Sequence, residues 1–532
     1  MKGRLARSAG LIGLATLSSR ILGLVRDVVQ ARYFGTGLQA DAFVVATRIP
    51  TLLRDLFAEG AMSAAVVPTL SRVLQRDGAA AAWRLGAQVI NGLLLVTAVF
   101  VVLGIVFAEP LVHFYATGFA DTPEKLALTV RLTRVNMPFL LLVAVAAACM
   151  GILNAMRRFF MPALAPALYN VVFIACTMIF VPLFYNMGVE PVMALSAGML
   201  LGGAAQMVAQ WPALRRDGYR HEWRLNLRDP RLREVLLLMG PGTLGVAAAQ
   251  INLLVNTKLA TAEDGAATAL TYAFRLMYMP IGIFGVSVAT AAIPELARHA
   301  AERAHQDMRS TLSWGLRLML MLSVPATLGL IVLAEPIIRL LFERGQFDAA
   351  STAMTAGALA FYAPGIVGYS IVKIASPSFY SLQDARTPMV VSLITIAVNL
   401  GLNLWLNSVM GFRGLALGSA IAANINAWLL LWLLARRIGG LDAGRVAASF
   451  AKILLASLAM AAAAFWTDAA LGGWLPPDLM GGSLIARALR LLGGIAAGLA
   501  VLALSAWALR IDEFRQAMAQ LTSRVRRAPE KT

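Results

Sequence analysis

Apolar stretches long enough to cross a bilayer follow one another from end to end of this 532-residue chain. They fall near residues 8–33, 42–71, 85–115, 126–155, 160–185, 191–214, 234–258, 266–297, 311–342, 350–381, 388–408, 414–435, 446–468 and 484–509. Each exceeds the roughly 18 residues at which a transmembrane helix becomes the expected structure. Lipid offers no partner to a backbone amide, so each run must bond within itself as a helix. The expectation is an all-α polytopic membrane protein with 14 transmembrane helices. A soluble chain of this length would need more polar surface than 14% charged residues against 59% hydrophobic ones supply.

The net charge of +18 does not call for nucleic acid, because the basic residues sit in short connections between apolar runs. Lys2, Arg4 and Arg7 precede the first run, and Arg72, Arg76 and Arg84 follow the second. Arg157 and Arg158 follow the fourth, and Arg215, Arg216, Arg220, Arg224, Arg228, Arg231 and Arg233 follow the sixth. The later alternate connections carry Arg298, Arg303 and Arg309, then Arg386, then Arg436, Arg437 and Arg445. The tail adds Arg515, Arg524, Arg526, Arg527 and Lys531. The intervening loops are poor in Lys and Arg and carry acids such as Asp121, Glu124, Glu263 and Asp264. This alternation places both termini in the cytoplasm and makes the number of spans even. The basic start of the chain resembles a secretory leader, but Arg20 cuts its apolar stretch short and no cleavage site follows, so it reads as an uncleaved first span. Cys149 and Cys176 both lie inside apolar runs and form no disulfide framework.

Three features recur 226 residues apart: Glu109-Pro110 and Glu335-Pro336, Pro68 and Pro294, and Pro162 and Pro388. Arg48 in "ATRIP" is echoed by Arg275 in "AFRLM", one residue off that spacing. A fixed period argues for a duplicated unit. It carries the first six spans onto the next six and leaves the last two unmatched. The expected domains are a first lobe at 1–214, a basic cytoplasmic linker at 215–233, a second lobe at 234–438, a pair of spans at 439–510 and a basic tail at 511–532. Two pseudo-symmetric six-helix lobes around a central cationic cavity make a transporter architecture.

Charges inside the spans are the main functional signal, since each costs roughly 2.5–3.5 kcal/mol at mid-bilayer on insertion scales. The first run contains Arg20, Arg26 and Asp27; the second contains Arg48, Arg54, Asp55 and Glu59. Both read Arg, five residues, Arg-Asp. On a straight helix Asp41, Arg48, Asp55 and Glu59 share a face within about 40°, and Arg54 points about 120° away. Pro50 and Gly60 work against a straight helix there. Two readings stand side by side. Arg20, Arg26, Arg54 and Arg275 line a cavity and bind an anion, oriented by Asp27, Asp55 and Glu59, because a guanidinium makes paired bonds to phosphate. Alternatively the charges pair only with each other, or snorkel at span ends. Arg275 and Lys373 have no acid nearby in their own runs, which favours a surplus of positive charge.

Asn252 with Asn256, and Asn399 with Asn403, are spaced four apart and suit a weak neutral cation site or interhelical hydrogen bonds. No Walker A sequence, HExxH or G-x-S-x-G is present, so no ATPase, catalytic residue, cofactor or metal is expected.

The chain resembles the MviN/MurJ family, the lipid II flippases of bacterial peptidoglycan synthesis, within the multidrug/oligosaccharidyl-lipid/polysaccharide exporter superfamily. The resemblance rests on "SRILGLVRD" (19–27), "DAF" (41–43), "LLRDLFAEGA" (52–61), "RRFFMPALAP" (157–166), "MGP" (239–241), "YAFRLMYMP" (272–280) and "VKIASPSFYSLQDARTP" (372–388), and it covers nearly the whole chain. It implies 14 spans, two six-helix lobes and a final pair that forms a groove for a polyprenyl tail. It places the family's cavity arginines on Arg20, Arg26, Arg54 and Arg275, its cavity acids on Asp41 and Glu59, and its tenth-span lysine on Lys373. An acidic residue of some members, three after the "YA-x-R" arginine, is Tyr278 here. Some members are thought to hold sodium with carboxylates in the second lobe; runs 7 and 11 here offer only asparagines, so the resemblance does not extend to sodium coupling.

The implied function is a bacterial inner-membrane flippase that moves lipid II (undecaprenyl-diphosphate-MurNAc-pentapeptide-GlcNAc) from the inner to the outer leaflet by alternating access. It is expected to work as a monomer among membrane lipids, with the peptidoglycan synthesis machinery as a partner. The alternatives are an exporter of another lipid-linked saccharide or of drugs, and a membrane glycosyltransferase, which would need a carboxylate pair on a large loop that the sequence lacks.

Overall fold

Because lipid leaves the backbone no partner but itself, the described residues form helices joined by turns and irregular segments, with no strand among them. The structure is a computed structural model that describes residues 2–56, 61–226, 228–474 and 484–516. Among the described residues nine helical segments are long and apolar enough to cross a membrane, and a tenth is the pair Ala349–Tyr362 and Gly365–Ser381, bent by 45°. The second and third apolar runs share one long helix, broken at Gly78 by a left-handed backbone with φ 80°.

By packing, the chain divides into two compact units. The first comprises Met1–Thr268 with Arg344–Asp348. Its helices are α1 (Lys2–Phe34), α2 (Leu38–Ala46), α3 (Arg48–Arg54), α4 (Ala61–Val106), α5 (Ala108–Tyr115), α6 (Pro123–Asn136), α7 (Phe139–Ala155), α8 (Phe160–Asn186), α9 (Met193–Arg216) and α10 (Pro230–Ala260). Here α1 packs on α8, α8 on α9, and α4 on both α7 and α10. The core holds Leu85, Ile90, Ile152 and Leu153. Residues 344–348 also pack into this unit, where the Gln346 N–H donates to the Arg32 carbonyl at 2.9 Å.

The second unit comprises Ala269–Glu343 and Ala349–Thr532. Its helices are α11 (Ala266–Pro280, entering from the first unit), α12 (Val286–Ala301), α13 (His305–Val332), α14 (Ala334–Phe342), α15 (Ala349–Tyr362), α16 (Gly365–Ser381), α17 (Arg386–Met410), α18 (Phe412–Arg437), α19 (Ala443–Trp474) and α20 (Leu484–Ala508). Leu312, Leu316, Ile374 and Leu430 lie in its core. The last pair, α19 and α20, is held by charge as well as by packing. Arg490 grips Asp468 with two bonds of 2.7 and 2.6 Å. Arg487 reaches the Glu343 carboxylate at 3.2 Å and its carbonyl at 3.0 Å. Large apolar side chains such as Val102, Trp405 and Leu504 are exposed, as lipid contact requires.

The 226-residue period extends to the helix boundaries. Helices end at 106 and 332, at 155 and 381, and begin at 108 and 334, 123 and 349, 139 and 365, 160 and 386. Helices α7 and α16 close with the same motif. The N–H of Arg158 donates to the Leu153 carbonyl, and that of Asp384 to the Phe379 carbonyl. The residue before each is left-handed without being glycine: Arg157 at φ 60° and Gln383 at φ 58°. The side chains that follow make the same ion pair with opposite polarity. Arg158 binds Asp217 at 3.0 Å in the first half, and Asp384 binds Arg437 at 2.9 Å in the second. π-Helical geometry also recurs, at residues 55–56 and at Ile281–Gly285.

Candidate functional site

The charged residues of the first unit are placed by a chain that breaks its helices. Thr47 ends α2 and its hydroxyl bonds the Val44 carbonyl at 3.0 Å. Pro50 lies within α3, and the backbone leaves α geometry at 55–56, just past Arg54. Such interruptions mark functional segments more often than ordinary ones. On a straight wheel Asp55 shares a face with Arg48. In the structure Asp55 pairs with its neighbour Arg54. Arg54 donates from Nε at 2.9 Å and from Nη2 at 2.6 Å to one Asp55 oxygen. The other oxygen accepts from Gln250 on α10 at 3.1 Å. Arg54 is thus aimed by its neighbour, and the neighbour by Gln250, while about a third of the arginine side chain remains exposed.

Arg26 repeats the arrangement on α1. Its Nε and Nη2 donate to Asp27 at 3.3 and 3.2 Å, and Asp27 is buried. The guanidinium also lies over the rings of Tyr169 and Phe173, 5.7 and 5.4 Å from their centroids. Adjacent residues in a helix point about 100° apart, and in each pair Nε and Nη2 converge on one carboxylate oxygen rather than closing a fork-to-fork pair. Arg20, two turns earlier, is exposed and has no hydrogen bond or ion pair among the described residues.

Asp41 has a different setting from the other acids. It is fully buried and accepts four bonds. One oxygen takes the Lys125 ammonium at 3.0 Å and the Gly265 N–H at 2.7 Å; the other takes the Thr268 N–H at 3.0 Å and its hydroxyl at 2.7 Å. Lys125 is itself 1% exposed and also reaches the exposed Asp264 at 2.8 Å. In this conformation Asp41 clamps α2 and α6 to residues 264–268. Glu59 lies outside the described residues.

In the second unit Arg275 is exposed on α11. Lys373 on α16 makes no ion pair among the described residues, and its ammonium lies 6.0 Å from the centre of the Tyr278 ring. Tyr278 thus gives the lysine an aromatic face. Phe274 stacks beside it at 5.9 Å. Asn399 and Asn403 are buried and bond each other reciprocally at 3.4 and 3.2 Å. Their amides are occupied locally, while Asn252 and Asn256 are half-buried on α10 in the first unit. Among the described residues no group of three or more His, Cys, Asp or Glu could hold a metal ion.

Sequence reasoning did not find Gln250, the Lys125–Asp41 contact, or the pairs Asp468–Arg490 and Glu343–Arg487. Their partners lie between 22 and 195 residues apart, beyond the reach of any local pattern.

Comparison with known proteins agrees with this picture. The family model described as lipid II flippase MurJ matches residues 30–480. A probable lipid II flippase MurJ of Rhizobium meliloti (strain 1021) is 34% identical over 504 residues, covering 93% of this chain and 92% of that protein. The lipid II flippase MurJ of Burkholderia cenocepacia is 36% identical over 427 residues, covering 79% and 82%. A solved lipid II flippase MurJ in an inward closed conformation superposes with a TM-score of 0.77 at 28% identity, covering 94% of this chain and 99% of that one. An inward-facing multidrug resistance MATE family transporter of the MOP superfamily shares the fold at TM-score 0.65 and 17% identity, covering 80% and 98%. Matched by that family model over most of its length and by relatives at 34–36% identity, the chain belongs to the MurJ family of lipid II flippases.

Proposed function

We propose that this protein moves lipid II from the inner to the outer leaflet of the bacterial cytoplasmic membrane by alternating access, as a transporter rather than an enzyme. The arginines bind the diphosphate, Arg20, Arg26 and Arg54 from the first unit and Arg275 and Lys373 from the second. The observation that carries this reading is the imbalance of charge. Arg20 and Lys373 have no acidic partner among the described residues, and Arg54, about a third exposed, is positioned by Asp55, which Gln250 holds in turn. Unneutralised cations are costly in a membrane, and a diphosphate supplies the missing charge with oxygens that a guanidinium can chelate. Both termini face the cytoplasm in this reading, since the arginine-rich connections alternate without a break. The membrane potential then assists export of the anion by about 2.3 kcal/mol per charge per 100 mV.

The test is Arg54→Ala in cells that carry this protein as their only copy. The expected outcome is growth arrest with lipid II accumulating on the cytoplasmic face. Normal growth without accumulation would remove Arg54 from the substrate site.

A further inference from the structure

The turn between α7 and α8 carries two adjacent arginines with different surroundings. Arg158 is committed to Asp217 through bonds of 3.0 and 3.1 Å. Arg157 is exposed and makes no side-chain hydrogen bond or ion pair among the described residues. Its backbone is left-handed at φ 60°, in the position after a helix end that glycine normally fills. Glycine would serve this turn better, so the side chain at 157 is not there for the turn.

Beside Arg157 opens a cavity of about 690 Å³ within the first unit, between the first part of α4 and the α7–α8 turn. Val67, Leu74 and Phe159 give it an apolar wall, while Ser71, Gln75 and Arg157 give it polar groups. This volume falls in the range of small-molecule sites, which combine apolar walls with a few placed polar groups. Phe159 and the adjacent Phe160 are both nearly half exposed, apolar surface beside the cavity. The turn lies on the side that the alternation of arginines assigns to the cytoplasm.

We infer that this cavity binds the phosphate of an anionic lipid headgroup at the inner-leaflet surface, with Arg157 as the phosphate ligand. The guanidinium takes two phosphate oxygens. The Ser71 hydroxyl and the Gln75 amide suit the neighbouring polar oxygens of the headgroup, and the apolar wall receives the start of the chains. Two lipids share this chemistry: an anionic phospholipid of the bilayer, and a polyprenyl diphosphate of the substrate type. The site involves none of the arginines proposed to carry the substrate across.

Native mass spectrometry of the full-length protein in detergent separates the possibilities. Phosphatidylglycerol, phosphatidylcholine and undecaprenyl diphosphate are titrated into wild type and Arg157→Gly. Because glycine suits φ 60°, the variant is expected to melt no lower than wild type. Retention of an anionic lipid is expected to fall about tenfold or more, the loss of one charge-assisted contact. A fall for phosphatidylglycerol identifies a bilayer-lipid site, and a fall for undecaprenyl diphosphate alone identifies a docking point for substrate. Unchanged retention of both anionic lipids overturns the proposal. So does an equal fall for phosphatidylcholine, or a lower melting temperature, since either would give Arg157 a packing role. The readout is lipid retained rather than lipid moved, so it stands apart from the outcome for Arg54.

Discussion

Replacing Lys125 by methionine removes the charge facing Asp41 and keeps most of the apolar stem. Asp41 then remains a fully buried carboxylate with three donors, the Gly265 N–H and the N–H and hydroxyl of Thr268. Breaking a buried pair from one side costs about 3–5 kcal/mol, and the three surviving donors put this case near the lower end, about 3. Asp41→Asn is expected to cost a similar amount. It leaves Lys125 with Asp264 alone, which is 90% exposed and screened by water. The double variant buries no charge. Its amide oxygen cannot accept from every donor, and an orphaned buried N–H costs about 1–3 kcal/mol. The two single changes therefore sum to about 6 kcal/mol and the double change to about 2, a coupling near 4. The assay is denaturant unfolding of the four purified proteins in mixed micelles, analysed as a double-mutant cycle. Additivity to within about 0.5 kcal/mol would show that Lys125 and Asp41 do not compensate each other, and the buried clamp would not be what joins α2 and α6 to residues 264–268.

Two further outcomes follow from local geometry. Asp384 is held below the usual carboxylate range, first by the Thr387 N–H it accepts, then by the Thr387 hydroxyl and the Arg437 guanidinium. A depressed pKa stabilises the fold above about pH 4, and the benefit is lost as pH falls through the lower folded value. Asp384→Ala should therefore lower stability by about 1 kcal/mol at pH 7, as for a lost helix cap, and the gap from wild type should close below about pH 4 in a melting series. Gly368→Ala would set its methyl group 2.5 Å from the Ala423 carbonyl carbon, where α16 meets α18. Backbone cannot yield as a side chain can, so about 1–3 kcal/mol of overpacking is expected; an unchanged melting temperature would contradict so close a crossing.

Much of the architecture was legible in the sequence, because apolar length and the alternation of arginines are one-dimensional signals. The duplication was visible in three prolines with their neighbours, and the helix ends at 155 and 381 or 160 and 386 repeat with the same spacing. The pairing of charges was less legible. Arg26-Asp27 and Arg54-Asp55 could be seen as adjacent residues, but a wheel sets neighbours about 100° apart and gave no sign that each long arginine turns back onto the next carboxylate. Asp41 looked like one acid among several. Its buried setting depends on Lys125 and on Gly265 and Thr268, more than 220 residues away, and only tertiary packing brings them together. Tyr278 read as a missing charge; its ring in fact lies under Lys373.

The ion pairs Arg158–Asp217 and Asp384–Arg437 hold corresponding joints with their signs exchanged. Only Arg158 and Asp384 stand at the 226-residue spacing; α9 and α18 both close on arginine, Arg216 and Arg437, and Asp217 lies one residue past the end of α9. Arg158 and Arg437 are more than half exposed, and a pair open to water is worth about 0–1 kcal/mol, so a change of sign at the first position cost little. Inheritance here preserved the joint and let the partner shift by one residue. A comparison of the two halves letter by letter counts these positions as mismatches, although they are among the places where the copies remain most alike.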